Sequence, residues 1–168
     1  ATSPDEYMSE LEDAAARIAA ARPTAVNLFW AVQRMVSLAK SEPDPLGMPE
    51  RLLAEAQRMY QEDEEIHRKM GGLGKDLLPD GGAVLTHCNT GALATTGFGT
   101  ALGVIRAEWE AGKRFKVFNT KNRPFLQGTR LSVWEFDQLG FPATLIVESA
   151  AGMLMRRGEI DGVISGAD

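Results

Sequence analysis

The chain has 168 residues, of which 44% are hydrophobic and 24% are charged, proportions that exclude fibrous and disordered classes and suit a globular protein with one good core or two small ones. Its formal net charge of −5 is uneven: residues 1–80 carry 15 acidic and 9 basic side chains, whereas residues 81–168 carry 8 and 9. We therefore expect no nucleic-acid partner, because such binding needs a clustered basic face.

The longest apolar runs are far shorter than the ~20 residues that a membrane span needs, and no basic-then-apolar signal segment opens the sequence. We expect a cytoplasmic protein with no membrane partner. A single cysteine excludes an internal disulfide framework, and one cysteine with two isolated histidines offers no zinc-ligand spacing. We expect no metal site.

The first part of the chain has helical periodicity. Ser3 is followed by proline and by Glu6, so a helix is predicted to begin there and to run to about Ala21. The proline after Arg22 interrupts the pattern, since the residue before a proline is pushed out of helical geometry. We expect Arg22 in a tight corner, either as a surface side chain or as a guanidinium fixed to bind an anion.

Two further helices are predicted before residue 78. Thr24 can cap a helix that runs to about Ala39, and because this helix is apolar nearly all round we expect it to be buried on several sides. A proline-rich loop then leads to a third helix from about Pro49 to Met70, whose later acidic run indicates a solvated face. Residues 1–78 are thus predicted to be the helical part of an N-terminal domain.

After Gly74 short apolar runs alternate with helical segments, which is typical of right-handed crossovers and a parallel sheet. The expected strands are 83–86, 115–118, 143–147 and 162–165, and the expected helices are 90–111, 126–139 and 149–157. The predicted fold class is α/β: an N-terminal helical region followed by a Rossmann-like parallel sheet with flanking helices, the latter in residues 79–168, truncated at both ends.

Ligands of such sheets gather beyond the carboxyl ends of the strands. The polar residues that follow the four predicted strands are Cys88, residues 119–123, Glu148 with Ser149, and Asp168. We therefore expect them at one edge of the sheet.

The only cysteine lies between the first strand and the predicted long helix. Amide N–H groups and the positive end of a helix dipole converge at such a turn, so it can hold a phosphate and activate a thiol. A lone cysteine is more often a buried structural residue, but its His, Asn, Thr and Gly neighbours favour chemistry. Gly97, Gly99 and Gly103 inside that helix would each cost about 1 kcal/mol relative to alanine, which indicates close packing.

Several long segments match one family in the same order along the chain. They are residues 22–31, 86–95, 99–106 and 123–131, and the terminal Gly166-Ala167-Asp168. With these motifs the chain resembles the methylthioribose-1-phosphate isomerase family of methionine salvage. The wider superfamily also holds ribose-1,5-bisphosphate isomerase and the regulatory subunits of a translation-initiation exchange factor, which keep the fold but lack the catalytic cysteine.

The resemblance implies an aldose–ketose isomerase that converts 5-methylthioribose 1-phosphate to 5-methylthioribulose 1-phosphate without metal or nucleotide cofactor. It also implies that Cys88 and Asp168 are the catalytic pair. Ring opening needs an acid at the ring oxygen, and isomerisation needs a hydrogen moved between C1 and C2, tasks that two titrating groups on opposite sides of the sugar can share. We assign Asp168 to the ring oxygen and Cys88 to the carbon-bound proton, with direct hydride transfer as the alternative.

The resemblance further implies substrate-binding positions and partners. Arg22 and Gln127 match substrate-binding positions of the family, and the amides of Asn89, Thr90 and Gly91 are expected to assist the phosphate. The implied partners are a small phosphorylated sugar and, in the whole protein, a second copy in a homodimer.

Two departures at the ligand edge leave the exact pentose phosphate open, so ribose-1,5-bisphosphate isomerase stays an alternative. Lys121-Asn122 stand where the family usually has Glu-Thr, and residues 147–152 differ from its usual Thr-Asp-Ser-Met-Ala-Ala. A non-catalytic sugar-phosphate or nucleotide sensor of the same fold is disfavoured by Cys88 and Asp168. A cysteine-nucleophile hydrolase would need His87 as its base, but adjacent residues on a strand point to opposite faces.

Family motifs that would precede and follow this segment are missing from it. We therefore expect the 168 residues alone to be an inactive, poorly soluble piece of a larger molecule. The strand at 162–165 would leave an open sheet edge, which invites pairing with another chain.

Overall fold

The computed structural model describes residues 3–24, 26–41, 46–74 and 76–166. The chain divides into two compact units, the first ending at Glu62 and the second beginning at Asp63. This division falls inside a helix, upstream of the predicted domain boundary at residue 78. None of the described helices is both long enough and apolar enough to cross a membrane.

The first unit contains helices α1 (Pro4–Ala20) and α2 (Val26–Ser41) and the start of α3 (Met48–Gly74). The predicted start of α1 is confirmed, because the Ser3 hydroxyl accepts a hydrogen bond from the N–H of Glu6 at 3.2 Å. Helix α1 packs against α2.

The expectation that α2 is buried on several sides is wrong. Among its described residues only Ala39 is buried, and Trp30 is 51% exposed. The reason is that α1 and the charged side of α3 contact only part of the surface of α2. Arg34 of α2 contacts α3 through ion pairs with Glu55 and Glu62.

These ion pairs change the pKa values of the side chains that form them. The hydrogen bonds that Arg34 donates to Glu62 and Glu55 raise the pKa of the guanidinium above its ordinary value, although burial works in the opposite direction. The hydrogen bond from Arg34 likewise lowers the pKa of Glu62. The pairs therefore stay charged at neutral pH and fix the register of α2 on α3.

The second unit contains the predicted parallel sheet. Its strands in the described part of the chain are β1 (Ala83–His87), β2 (Lys116–Thr120), β3 (Ala143–Ile146) and β4 (Gly162–Ser165). They lie in the order β3-β2-β1-β4 and all neighbours are parallel. The α/β prediction is confirmed, and the strands begin and end within about two residues of the positions predicted from periodicity.

Three helices accompany the strands: α4 (Ala101–Glu110), α5 (Val133–Gln138) and α6 (Glu148–Arg156). The first four residues of β1 are all buried, which explains why Ala83, Val84 and Leu85 are consecutive apolar residues with no polar alternation. The hydrophobic core of this unit consists of Leu78, Val84, Leu102, Ile105, Phe115, Val117, Phe136 and Phe141.

The predicted helix over residues 90–111 is wrong in its first half. Residues Ala92–Ala94 form a single 3-10 turn, and the α-helix begins only at Ala101. Gly99 has a φ of +96°, and a Cβ added to it would lie 2.8 Å from the Cα of Gly91. Gly99 therefore allows a close backbone approach to Gly91, instead of weakening a helix. The helix predicted over 126–139 likewise begins as a π-helical turn, Gly128–Ser132, before α5.

Helix α3 continues past its predicted end at Met70, and two of the three glycines in this last turn face α4. A Cβ on Gly71 would lie 2.9 Å from Phe98 Cε1 and 3.0 Å from Ala107 Cβ, and one on Gly74 would lie 2.6 Å from Val104 Cγ1. A Cβ on Gly72 would meet nothing within 4 Å. The two packed glycines thus let α3 approach α4 closely.

This contrast predicts opposite effects for two neighbouring substitutions. Gly71→Ala should lower the free energy of unfolding by about 1–3 kcal/mol, because the new methyl group overpacks the contact with α4. Gly72→Ala should leave it unchanged or raise it by up to ~1 kcal/mol through better helix propensity. Urea denaturation of both variants measures this, and equal effects would contradict the packing described.

Candidate active site

The carboxyl ends of three strands are joined by hydrogen bonds from backbone N–H groups to side-chain oxygens. The N–H of Cys88, directly after β1, donates to Asn122 Oδ1 after β2 at 2.9 Å. The N–H of Arg123 donates to Glu148 Oε1 after β3 at 3.1 Å. The parallel register explains the first contact, since Thr86 of β1 pairs with Asn119 of β2.

The fourth strand end also reaches this edge. Ser165, the last residue of β4, pairs with His87. A Cβ added to Gly166 would lie 3.1 Å from Thr90 Cγ2, so the chain passes beside the cysteine turn as it leaves β4. Asp168, the predicted partner of Cys88, lies outside the described residues and stays a prediction.

Cys88 is held in an uncommon backbone conformation. It is half-buried and has a φ of +66°, in the left-handed region that costs a non-glycine residue roughly 1–3 kcal/mol. Two buried side chains hold its backbone: Asn122 accepts from its N–H, and the hydroxyl of Ser132 donates to its C=O at 2.6 Å. Strain held in place by surrounding contacts is a feature of functional sites.

Asn122 links the turn to His87. Its Nδ2 lies 2.8 Å from His87 Nε2 and can only donate, so Nε2 accepts. His87 Nδ1 lies 2.6 Å from Thr120 Oγ1 and 3.2 Å from Asn122 Nδ2, so the imidazole is held by both side chains. Within the described residues no hydrogen bond joins His87 to the Cys88 thiol.

Glu135 of α5 holds the other end of the turn, and sequence reasoning missed it. Its carboxylate accepts the N–H groups of Ala92 at 2.6 Å and Leu93 at 3.2 Å. Glu135 is only 4% exposed, and in the described parts of the chain it forms no ion pair. A Cβ on Gly91 would collide with this carboxylate, so glycine is required there. No local signal in the sequence marks Glu135, because its burial and its partners come from distant parts of the chain.

The structure corrects the prediction that the positive end of an α-helix dipole lies at the cysteine turn. Where an α-helix was predicted to begin, the 3-10 turn already directs two of its amides at Glu135. By contrast, the N–H groups of Asn89, Thr90 and Gly91 donate to no acceptor in the described segments, and Asn89 Oδ1 is buried without a partner. The assignment of these three amides to the phosphate stays a prediction.

Thr90 links the segment of residues 89–91 to the start of α4 through hydrogen bonds. Its C=O accepts from the N–H of Thr100 at 2.8 Å, and its hydroxyl accepts from the N–H of Leu102 at 3.1 Å. Thr96 of the following loop donates to Asp63 Oδ2 at 2.7 Å, which ties that loop to α3. The turn is thus held from several sides.

The predicted substrate-binding side chains lie in different units. Gln127 is half-buried just before the π-helical turn, and no protein partner of its amide is found among residues 76–166. Arg22 is exposed in the turn after α1, in the first unit. The proximity of Arg22 to the turn therefore stays a prediction.

Glu148 contributes a fixed negative charge at this edge. Its own backbone N–H, together with those of Arg123 and Asn122, donates to the carboxylate and holds the pKa of Glu148 below its ordinary value, although partial burial works in the opposite direction. The carboxylate is therefore ionised at neutral pH and orders the segment after β2.

Comparisons with known proteins cover the whole chain. The family model of the initiation factor 2 subunit family matches residues 1–168. The methylthioribose-1-phosphate isomerases of Pelotomaculum thermopropionicum and Syntrophotalea carbinolica are 49% and 51% identical over 100% of this chain, which covers 47% and 49% of their lengths. The chain thus spans about half the length of the curated relatives it matches.

Two solved structures are similar over 100% of this chain. The 5-methylthioribose 1-phosphate isomerase of Pyrococcus horikoshii is 39% identical, with a TM-score of 0.90, and 48% of it is covered. The translation initiation factor eIF-2B subunit delta from A. fulgidus is 44% identical, with a TM-score of 0.84, and 49% of it is covered.

The buried carboxylate gives a prediction about stability. Glu135→Gln should lower the free energy of unfolding by about 1–3 kcal/mol, because an amide offers one acceptor and turns its NH₂ group toward the second N–H. Asp137→Asn, two residues along α5 and exposed, is the matched control and should stay within about 0.5 kcal/mol of the parent. Urea denaturation that gave the same small change for both would show that Glu135 does not hold the turn.

Proposed function

This chain belongs to the initiation factor 2 subunit family, and from that premise we propose that the whole protein is a sugar-phosphate isomerase. The proposed reaction converts 5-methylthioribose 1-phosphate to 5-methylthioribulose 1-phosphate in methionine salvage, without metal or nucleotide cofactor. The names of relatives about half identical to this chain support the reaction. The observation that carries the proposal is the left-handed Cys88 beside three open amides at the carboxyl edge of the sheet.

The proposed chemistry moves one hydrogen between neighbouring carbons, so no external oxidant or reductant is needed. An acid protonates the ring oxygen as its bond to C1 breaks. A base takes the proton from C2 and returns it to C1, and the C2 hydroxyl becomes the ketone as its own proton passes back to the conjugate base of that acid. We assign Asp168 to the ring oxygen and the Cys88 thiol to the carbon-bound proton. Direct hydride transfer from C2 to C1 would leave Cys88 an orienting role instead.

The binding roles follow from the donors that remain open. The N–H groups of Asn89, Thr90 and Gly91 assist the phosphate, as amides of such turns do in other anion sites. Gln127 orients the sugar from the segment after β2, and Arg22 supplies a guanidinium for the phosphate. The proposal also includes a homodimer in the cytoplasm.

A second candidate is a non-catalytic sensor of sugar phosphates or nucleotides. The likeness to the eIF-2B subunit delta structure favours it. Such a subunit would have no use for a thiol held in a strained conformation, which makes Cys88 the discriminating residue. Ribose 1,5-bisphosphate is the alternative substrate, and both substrates belong in the assay.

The role of Cys88 is tested by Cys88→Ser in the whole protein. Turnover of 5-methylthioribose 1-phosphate should fall by roughly 10²-fold or more while substrate binding stays near normal, because a hydroxyl is a far weaker acid–base group than a thiol. If the parent protein converts only ribose 1,5-bisphosphate, that compound replaces 5-methylthioribose 1-phosphate as the proposed substrate. Absence of activity on either would favour the sensor.

The binding roles predict a different kinetic pattern. Gln127→Ala and Arg22→Ala should each raise KM by about 10-fold and change kcat less, because both groups contact the substrate before and during the reaction. Gln138→Ala and Arg156→Ala, both exposed, are the matched controls. A loss of folding in Arg22→Ala, seen by circular dichroism, would make that corner structural and remove Arg22 from the binding site.

A further inference from the structure

We propose that Asn122 is a positioning residue for this reaction: by accepting the N–H of Cys88 it holds the cysteine in the left-handed conformation that presents the thiol. The inference rests on the proposed function, since it needs Cys88 to take part in the chemistry. It adds a residue from the neighbouring strand end to the machinery.

The conformation of Cys88 needs such a partner. A non-glycine residue at a φ of +66° gains by relaxing into an extended conformation unless other contacts oppose that change. The 2.9 Å hydrogen bond to Asn122 Oδ1 and the 2.6 Å hydrogen bond from Ser132 Oγ satisfy the N–H and the C=O only in the observed geometry. Rotation of the backbone would break both, so they fix where the thiol points.

Asn122 is itself held rigidly enough to act in this way. It is 6% exposed, and its Nδ2 donates to His87 at 2.8 Å. The hydroxyl of Thr120 donates to its Oδ1 at 3.2 Å. A Cβ on Gly128 would lie 2.6 Å from the same Oδ1, so the close approach of the following turn also confines the side chain.

The residue type fits three demands at once. Asn122 has a φ of +62°, which asparagine tolerates better than most residues. Its short amide offers an acceptor to Cys88 and a donor to His87. Alanine could meet none of these demands, and glycine could meet only the first.

The test compares Asn122→Gly with Asn122→Asp in the whole protein. Glycine keeps the positive φ but removes the acceptor, so kcat should fall at least ~10-fold with KM within about 2-fold, the pattern of a displaced catalytic group. Aspartate keeps the acceptor for the Cys88 N–H but loses the donor to His87, so it should recover most of the kcat that glycine loses. Amide hydrogen exchange at Cys88 should be faster in Asn122→Gly and slow again in Asn122→Asp.

A control variant with a smaller core side chain distinguishes a loss of positioning from a general loss of stability. Ile105→Val on α4 removes one fully buried methyl group and should lower the melting temperature without changing kcat. Normal kcat in Asn122→Gly, beside a slow Cys88→Ser enzyme, would overturn the inference and leave the proposed function standing. Undiminished turnover of Cys88→Ser would overturn the assignment of Cys88 and this inference with it.

Discussion

The hydrogen bond from the Cys88 N–H to Asn122 Oδ1 is the contact on which the site depends. It joins the segments that leave two neighbouring parallel strands, β1 and β2. A parallel sheet delivers its strand ends to one edge but does not fix the backbone conformation of the residues beyond them. The buried amide does so, and the left-handed backbone of Cys88 is the result.

A second set of contacts comes from the segment after β2. Ser132 and Glu135 direct a hydroxyl and a carboxylate at the backbone of the cysteine turn. Buried polar groups are expensive unless each finds a partner, and here the turn's own peptide groups are those partners. The close approach requires glycine at 91 and 128, where any Cβ would collide with Glu135 or with the end of β2. The amides of residues 89–91 are left open.

Local patterns in the sequence predicted where the four strands lie along the chain and which edge of the sheet carries Cys88. These predictions succeed because strand periodicity and turn residues are short-range signals. These patterns failed where contacts between distant parts of the chain determine the local structure. The helix expected from Thr90 is interrupted because Gly99 packs against Gly91, and α2 lies half in solvent although its sequence reads as buried. Glu135 could not be assigned from sequence, since its partners at Ala92 and Leu93 lie more than 40 positions away.

A crystal structure of the whole protein as Asp168→Asn with 5-methylthioribose 1-phosphate tests the central claim most directly. The account predicts the phosphate on the N–H groups of residues 89–91 and the Cys88 sulfur roughly 3–3.5 Å from C1 or C2 of the sugar, the separation of reacting atoms. Cys88 should keep its positive φ and its bond to Asn122. A sugar bound elsewhere, or a sulfur directed away from C1 and C2, would contradict the account.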